Sequence, residues 1–210
     1  MIYYFLAAAA ILAVVLVAWL IGAKNRNTDN RKSQGALEWF FTPEYKRAGT
    51  RGEIVAAKTI ETILRDGDHL LTNVCIEYEG KPTELDIVIV NRYGVFIFEV
   101  KNYNGILVGG ENDYEWMKYK TTRAGNVYES TVKNPIKQVK RQIFILSRYL
   151  DWYGMKTWIK GYAILLLGNS PVQSEYILTS VDEVDRVIHT FDRRALVPDK
   201  VESITRLLSS

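Results

Sequence analysis

Three charged side chains interrupt two apolar runs in the segment ELDIVIVNRYGVFIFEVKNY, which covers residues 84–103. Asp86 lies in the first run, whereas Glu99 and Lys101 lie in the second. An unpaired charge inside a sheet costs several kcal/mol, even after its surroundings relax. These charges must therefore be offset by one another, by a metal ion or by solvent in a cleft.

Carboxylates that lie close together suit Mg²⁺ or Mn²⁺, which commonly take one or two carboxylates and complete their coordination with water and substrate phosphate oxygens. A nearby ammonium such as that of Lys101 can orient or help to deprotonate an attacking water. The same ammonium can offset the negative charge that develops on a phosphate in the transition state. The combination indicates hydrolysis of phosphodiester bonds.

A Glu-x-Lys pair in a strand is more often a solvated ion pair than part of a catalytic site. The residues around Glu99 argue against that interpretation, because they are apolar on both faces of the strand. One face carries Phe96, Phe98 and Val100, and the other carries Val95 and Ile97. A strand of this kind is expected to be covered on both sides, so its charges cannot point into open water.

The turn between the two runs decides whether the carboxylates meet. A two-residue turn pairs Asn91 with Gly94 and sets Asp86 opposite Glu99 on one face of the sheet. A left-handed bulge at Gly94 shifts the register by one residue and separates the carboxylates. Turn chemistry leaves both registers open, but the cost of burying isolated carboxylates favours the first. The two strands are predicted to be antiparallel neighbours over residues 84–90 and 95–101.

The segments before and after these strands predict the elements that hold them. GTRGEIVAAKTIETILRDG predicts a helix, with Thr50 and Glu53 at capping-box spacing. Its apolar stripe consists of Ala56, Ile60, Ile63 and Leu64. HLLTNVCIEYEG predicts a strand that ends in a turn at Gly80. ILVGGENDYEWMKYK predicts a hairpin with its turn near residues 109–113, and a polar loop follows it.

A long helix is predicted over NPIKQVKRQIFILSRYLDWYG, with Asn134 as its N-cap and Pro135 at its first position. Its apolar face consists of Ile136, Val139, Ile143, Leu146 and Leu150. WIKGYAILLLGNS is apolar enough to be a strand buried on both faces. Helices are predicted over residues 181–189, where Ser180 and Glu183 have capping-box spacing, and from Pro198 onward. The whole pattern predicts an α/β domain.

The first segment of the chain, residues 2–23, contains no charged residue and is long enough to cross a bilayer. We interpret it as a transmembrane helix, with a cleaved signal peptide as the alternative. The basic residues Lys24, Arg26, Arg31 and Lys32 follow it and none precedes it, which predicts that the rest of the chain is cytoplasmic. The predicted division is a membrane helix at 1–23, a linker at 24–48, the main domain at 49–170 and a helical extension at 171–210.

The composition excludes several classes of site. A net charge of +3 is too small to indicate a nucleic-acid-binding protein by itself. One cysteine and two histidines exclude an internal disulfide, a cysteine-rich zinc site and a histidine-built metal cluster. Cys75 lies in an apolar strand and is interpreted as a core residue. A metal site in this chain would therefore consist of carboxylates.

The sequence resembles the PD-(D/E)XK nuclease superfamily and, more narrowly, the nuclease-related domain or NERD family. The resemblance rests on RGE at Glu53, ELD at Asp86, FEVKNY at Glu99 and Lys101, Trp116 in the hairpin, and NPIKQ at Gln138. It covers about residues 49–167. Leu85 stands where the superfamily's name has proline, at a variable position that carries no catalytic atom.

This resemblance implies a restriction-endonuclease-like αβββαβ core with a mixed central sheet, and a DNA nuclease that depends on Mg²⁺ or Mn²⁺. The site that it implies consists of Asp86, Glu99 and the Val100 backbone carbonyl as metal ligands, Lys101 as a catalytic residue, and Glu53 and Gln138 as supporting residues. Taken alone, Glu53 is equally well a capping-box acid, and Gln138 is more simply a helix-surface amide.

Basic residues near the predicted site could hold nucleic-acid phosphates. They are Lys118, Lys120, Lys133, Lys137, Lys140 and Arg141. A solvated helix face is the alternative for those on the long helix. Two functions therefore remain: a membrane-tethered, metal-dependent nuclease, and a non-catalytic module of the same fold that binds nucleic acid or a protein at the membrane.

Overall fold

The computed structural model describes residues 44–190 and 195–210. The chain divides into two compact units, Met1–Arg47 and Ala48–Ser210. The helices in the described residues are α1 (Glu44–Glu61), α2 (Pro135–Trp152), α3 (Val181–His189) and α4 (Pro198–Leu208). The strands are β1 (His69–Tyr78), β2 (Lys81–Asn91), β3 (Gly94–Lys101), β4 (Ile106–Val108), β5 (Glu115–Thr121), β6 (Val127–Lys133), β7 (Ile159–Leu165) and β8 (Ile177–Leu178).

Helix α1 begins earlier than the sequence predicts. It runs through Thr50 and Glu53 without interruption, so Thr50 is not an N-cap and the predicted capping box is wrong. The residues before Thr50 continue the helix, and the local capping pattern therefore does not mark its start. Within the described part of the chain, no helix is long and apolar enough to span a bilayer. The predicted membrane helix at residues 2–23 lies outside the described residues.

A five-stranded sheet forms the centre of the second unit, in the order β1-β2-β3-β7-β8. The first three of these strands are antiparallel neighbours, whereas β3, β7 and β8 run parallel. Parallel neighbours need a crossover connection, and α2 lies in the one between β3 and β7. The sheet is therefore mixed, as predicted, and the order α1-β1-β2-β3-α2-β7 matches the predicted core.

The hairpin of β2 and β3 has the register that brings the two carboxylates together. Asn91 pairs with Gly94, so the turn has two central residues and the bulged alternative is wrong. The same register, continued to the other end of the hairpin, sets Asp86 across from Glu99. The ladder of paired residues ends one position before that pair.

Helices cover both faces of the central sheet, as the apolar strands predict. One face packs against α2 and α4 around a core that includes Val88, Val90, Val95, Ile97, Leu146, Leu150 and Ile204. The other face packs against α1 and α3 around a core that includes Ala56, Ile60, Ile87, Ile89, Phe96, Phe98, Val184 and Ile188. Full burial of each larger aliphatic or aromatic side chain contributes about 1.5–3 kcal/mol. The charges at the end of β3 thus lie between two apolar layers.

Strand β2 changes the face that it buries at Asp86. Leu85 and Ile87 are two residues apart and would share a face in a regular strand, yet they pack in the cores on opposite sides of the sheet. On the neighbouring strand, Asn73 adopts a left-handed φ of 53° at the matching position. Pairing resumes in the same register on both sides of Asn73. Both strands therefore switch faces together.

The switch explains why the prediction that Cys75 is a core residue is wrong. Its side chain is exposed. Beyond Asn73, Val74 and Ile76 take the buried face of β1, so Cys75 between them points to the other face, which is exposed at this end of the sheet. Its partner across the strands, Glu84, is exposed as well.

A second sheet contains β4, β5 and β6 in that order. The predicted hairpin of β4 and β5 is confirmed. The predicted polar loop is wrong, because it contains β6, a strand whose side chains are almost all exposed. Trp116 on β5 is fully buried and packs with Leu107, Ile136 and Leu165. This contact fixes the second sheet against the start of α2 and the end of β7.

The predicted starting residues of the three helices that follow β3 are confirmed. Asn134 caps α2, because its side-chain oxygen accepts a hydrogen bond from the N–H of Ile136 at 2.9 Å. Ser180 and Glu183 form a capping box at the start of α3. Helix α4 begins at Pro198. Since α3 and α4 pack on opposite faces of the sheet, these two helices complete both cores.

Gly161→Ala tests how closely α2 must approach the sheet. A Cβ atom at this position of β7 would lie 2.7 Å from the side chain of Val139 and 2.9 Å from that of Ile143, so these side chains or α2 itself must move. We expect a loss of roughly 1–3 kcal/mol in the free energy of unfolding, measured by urea denaturation. Val139→Ala removes part of the clash, so the double variant should lose less than the sum of the two single losses. Strictly additive losses would contradict this packing.

Candidate active site

Asp86 lies where β2 has separated from both neighbouring strands. The ladder to β3 ends at Ile87, and the ladder to β1 skips the position where Asn73 faces Asp86. The Asp86 carboxylate uses the gap, because its Oδ2 accepts a hydrogen bond from the backbone N–H of Val100 at 2.8 Å. A side chain thus occupies the position that a backbone carbonyl of β2 would take in a regular sheet.

The Val100 carbonyl points toward the same gap. In a strand, the N–H and C=O of one residue point to one neighbour and those of the next residue point to the other. The carbonyl of Lys101 accepts a hydrogen bond from the N–H of Leu166, on the side of β7. The carbonyl of Val100 is therefore directed toward β2 and Asp86, as a metal ligand at that position requires.

Glu99 is the most deeply buried charge of the site, with 3% of its surface exposed. Its Oε1 accepts hydrogen bonds from Lys101 Nζ at 2.5 Å and from Gln138 Nε2 at 2.6 Å. Its Oε2 accepts one from Gln142 Nε2 at 2.5 Å. An ion pair and two amides therefore compensate the buried carboxylate, and both amides come from α2.

Lys101 is held in its charged form. Burial by itself would lower the pKa of the ammonium, but Glu99, which attracts it and accepts its hydrogen bond, acts together with Tyr103 to outweigh burial, and the pKa of Lys101 is raised. Asp86 contributes in the same direction. The ammonium is thus a fixed positive charge at the edge of the site, and it also lies 6.0 Å from the centre of the Tyr103 ring.

Asp86 has the opposite tendency, toward its neutral form. Burial, followed by repulsion from Glu99, raises the pKa of Asp86 from its ordinary 3.8 to about 7. The hydrogen bond from Val100 opposes this shift without cancelling it. A cation near the two carboxylates would reverse this balance.

Glu53 approaches from α1, which packs on the other face of the sheet. Burial raises the pKa of Glu53, and repulsion from Glu84 and then from Glu99 adds to the effect. The preceding residue, Gly52, allows this approach, because a Cβ atom there would lie 2.9 Å from Asn102 and 3.0 Å from Leu166. The RGE motif thus combines a close contact of helix and sheet with an acidic side chain at the site.

The structure gathers all five predicted side chains of the site at one end of the sheet: Asp86, Glu99, Lys101, Glu53 and Gln138. It adds Gln142, which is 2% exposed and which the sequence analysis missed. The sequence feature that could have identified Gln142 is its spacing, because it follows Gln138 by one helical turn and lies among apolar residues. A buried amide on an apolar stripe needs a polar partner, and Glu99 is that partner.

The donor set fits a small divalent cation. Among the described residues, no three His, Cys, Asp or Glu side chains are arranged to hold a metal ion. Mg²⁺ needs fewer protein ligands than that, since one or two carboxylates commonly suffice. Asp86, Glu99 and the Val100 carbonyl provide two carboxylates and one carbonyl. Burial and repulsion from Glu99 raise the pKa of Asp86, and such a cation would offset both effects.

The six basic residues predicted to bind nucleic acid fall into groups with different surroundings. Lys118 lies beside the site, since its Nζ is 5.9 Å from the centre of the Tyr103 ring. Lys140 forms an ion pair with Glu111 at 2.6 Å, which offsets its charge. The remaining four side chains, Lys120, Lys133, Lys137 and Arg141, are exposed.

The fold and the site define a mixed α/β domain of the nuclease type, and comparison with known proteins agrees. The family model described as nuclease-related domain, NERD, matches residues 48–166, more than half of the chain. The chain therefore belongs to the NERD family, within the PD-(D/E)XK-like nuclease superfamily. This confirms the resemblance inferred from the motifs.

One curated relative is an uncharacterized protein of Bacillus anthracis. It is 28% identical to this chain over 111 residues, which cover 52% of this chain and 47% of that protein. The chain thus spans about half the length of the relative that it matches. No solved structure matches the chain.

The raised pKa of Asp86 predicts a stability that falls with pH in the absence of metal. Between about pH 4 and pH 7, the folded chain keeps a proton that the unfolded chain releases, so the free energy of unfolding decreases as pH rises. From about pH 5 to pH 8, metal-free wild type should lose roughly 1–2 kcal/mol more than Asp86→Asn, after allowance for solvent screening. Urea denaturation with a chelator measures this difference. Asp66→Asn, at an exposed position, should behave as wild type, and equal slopes for wild type and Asp86→Asn would contradict the prediction.

Proposed function

We propose that this protein is a divalent-metal-dependent nuclease that hydrolyses phosphodiester bonds of DNA. One observation carries the proposal: Glu99 and Lys101 form a buried ion pair where Asp86 leaves the sheet and bonds to Val100. A purely structural domain gains little from such an arrangement, because apolar residues of similar size are usually as stabilising as a buried ion pair. Membership of the nuclease-related family supports the same function.

Asp86, Glu99 and the Val100 carbonyl would hold Mg²⁺ or Mn²⁺. When bound, such an ion supplies positive charge that polarises the scissile phosphate and favours ionisation of water. Glu53 would strengthen the attraction for the cation, because its negative charge faces the same end of the sheet. Gln138 and Gln142 would keep Glu99 in one orientation, since they hold both of its oxygens.

Lys101 would act on the water and on the phosphate. Its ammonium has three donors, one of which is used by Glu99. The others can orient an attacking water and offset the charge that develops on the phosphate oxygens. The raised pKa of Lys101 suits these tasks, because the group stays charged throughout the neutral range.

We propose further that residues 2–23 anchor the enzyme in the cell membrane, with its nuclease domain in the cytoplasm. The proposal rests on the uncharged length of that segment and on the basic residues that follow it. The exposed basic residues around α2 and β5 would then bind the DNA. A reporter fused after Ser210 tests the orientation, since it should be active only in the cytoplasm.

One observation favours a second candidate, a non-catalytic module that binds nucleic acid or a protein at the membrane. Both carboxylate oxygens of Glu99 already accept hydrogen bonds within the chain. A carboxylate satisfied in this way can be stable without a metal ion. The two candidates differ in whether the chain cuts DNA and whether Asp86 and Lys101 matter for it.

Cleavage of plasmid and oligonucleotide DNA by the purified full chain, with Mg²⁺ or Mn²⁺, tests the proposal. Asp86→Asn should abolish cleavage, because it removes a ligand charge and keeps the shape of the side chain. Lys101→Met should lower the rate on the order of a hundredfold or more, as the loss of a catalytic group usually does. Lys156→Met, at an exposed position beyond α2, should cut as wild type does.

Folded wild type that cuts no DNA with either ion would favour the binding module. Cleavage that survives both Asp86→Asn and Lys101→Met would also contradict the proposed site. Circular dichroism spectra should show that all variants are folded, although Lys101→Met should melt at a lower temperature, because it leaves the buried Glu99 carboxylate without its counter-charge.

A further inference from the structure

Tyrosine rings flank the first two turns of α2, each with a lysine beside it. Lys137 Nζ lies 5.7 Å from the centre of the Tyr114 ring. One turn further along the helix, Lys140 Nζ lies 4.5 Å from the centre of the Tyr176 ring. An ammonium near an exposed aromatic ring combines a contact for phosphate with a flat surface for a base. Lys137 and Tyr114 fit this description, whereas the charge of Lys140 is offset by Glu111 and the Tyr176 ring is half-buried.

A third ring connects this surface to the candidate active site. Tyr103 has two ammonium groups near it, those of Lys101 at 6.0 Å and Lys118 at 5.9 Å from the ring centre. Lys101 in turn bonds to the buried Glu99 carboxylate. The Tyr103 ring is half-buried and packs against the cluster that contains Trp116, so it positions the two ammonium groups between this surface and the candidate active site.

Helix geometry makes the surface continuous. At about 100° per residue, Lys140, Lys137, Arg141 and Gln138 follow one another around less than half of the circumference of α2. Gln138, at one edge of this arc, donates to Glu99. Lys137 and Arg141 lie between that edge and Lys140. The arc thus leads from the two outer tyrosines to the carboxylates.

Tyr114 has an accessible ring on a backbone that hydrogen bonds hold in place. Its side chain is 78% exposed, while its backbone carbonyl accepts a hydrogen bond from the N–H of Asn134 at 3.3 Å. The side-chain amide of Asn134 also donates to the carbonyls of Gly110, Glu111 and Asp113. One buried asparagine therefore fixes the turn that precedes Tyr114. Because the backbone at Tyr114 is already ordered, only its side chain loses conformational entropy when the ring stacks on a base.

We infer that the substrate bound at this surface is single-stranded DNA, either a free strand or the frayed end of a duplex. In a duplex the faces of the bases are stacked on one another, so the exposed ring of Tyr114 has no base face to stack on. In a single strand every base offers a face, and each stacking contact contributes about 1–3 kcal/mol. This inference rests on the proposed nuclease function and narrows its substrate.

Fluorescence anisotropy of labelled DNA with the full chain, in a chelator so that no cleavage occurs, tests the inference. A thymidine oligonucleotide should bind about tenfold or more tightly than a duplex of the same length at the same salt concentration. Tyr114→Ala should weaken binding of the single strand about fivefold or more and leave binding of the duplex unchanged. Tyr114→Phe keeps the ring and should retain the affinity.

Two further variants separate stacking from charge. Lys137→Ala should weaken single-stranded and duplex DNA alike and reduce the salt dependence by about one phosphate contact. Tyr153→Ala removes a tyrosine that is also exposed, at the opposite end of α2, and should change neither affinity.

Duplex DNA bound and cut as well as single-stranded DNA, or equal losses for both substrates in Tyr114→Ala, would overturn this inference and leave the nuclease proposal intact. Metal-dependent cleavage that fails on every DNA would instead contradict the nuclease itself. The two proposals therefore fail by different results.

Discussion

The buried carboxylate of Glu99 is the constraint on which the rest of the domain depends. It lies inside a sheet with helices on both faces, where an uncompensated charge would cost several kcal/mol. Lys101 supplies the opposite charge, and Gln138 and Gln142 supply amide donors from α2. Helix α2 must therefore lie close to β3 and β7, and Gly161 permits this because any side chain there would collide with the helix. The N-cap Asn134 fixes both the start of α2 and the adjoining turn of the second sheet.

The break in the sheet at Asp86 has a related cause. In a regular strand, the backbone groups beside Asp86 would pair with those of β1 and β3. The Asp86 side chain would then lie on the face of the sheet opposite to Glu53. The simultaneous switch of β1 and β2 keeps their register and opens a gap beside Val100. Through that gap, acidic groups from both faces of the sheet reach one end. The left-handed Asn73 is a strained backbone position of the kind that is found at functional sites.

The sequence predicts the β2–β3 register, the start of α2 and the central position of β7 because each depends on local signals. A buried charge needs a partner, a cap residue marks the start of a helix, and an uninterrupted apolar run must be covered on both faces. The missed features depend on contacts between distant segments. Residues before Thr50 extend α1 past an apparent cap, and β6 escapes prediction because almost all of its side chains are exposed, so its sequence shows no buried face. The exposure of Cys75 follows from a face switch that is visible only when β1 and β2 are paired, and Gln142 acquires its role only once α2 lies on Glu99.

Calorimetric titration of Mn²⁺ into the metal-free full chain tests the central claim most directly, because it measures the cation and needs no knowledge of the substrate. The account predicts saturable binding by wild type, strongly weakened in Glu99→Gln, which keeps the shape of the side chain and removes its charge. Binding should remain in Glu79→Gln, at an exposed position in the turn after β1. Wild type without saturable binding, or Glu99→Gln with unchanged affinity, would contradict the claim that this buried carboxylate is part of a metal site.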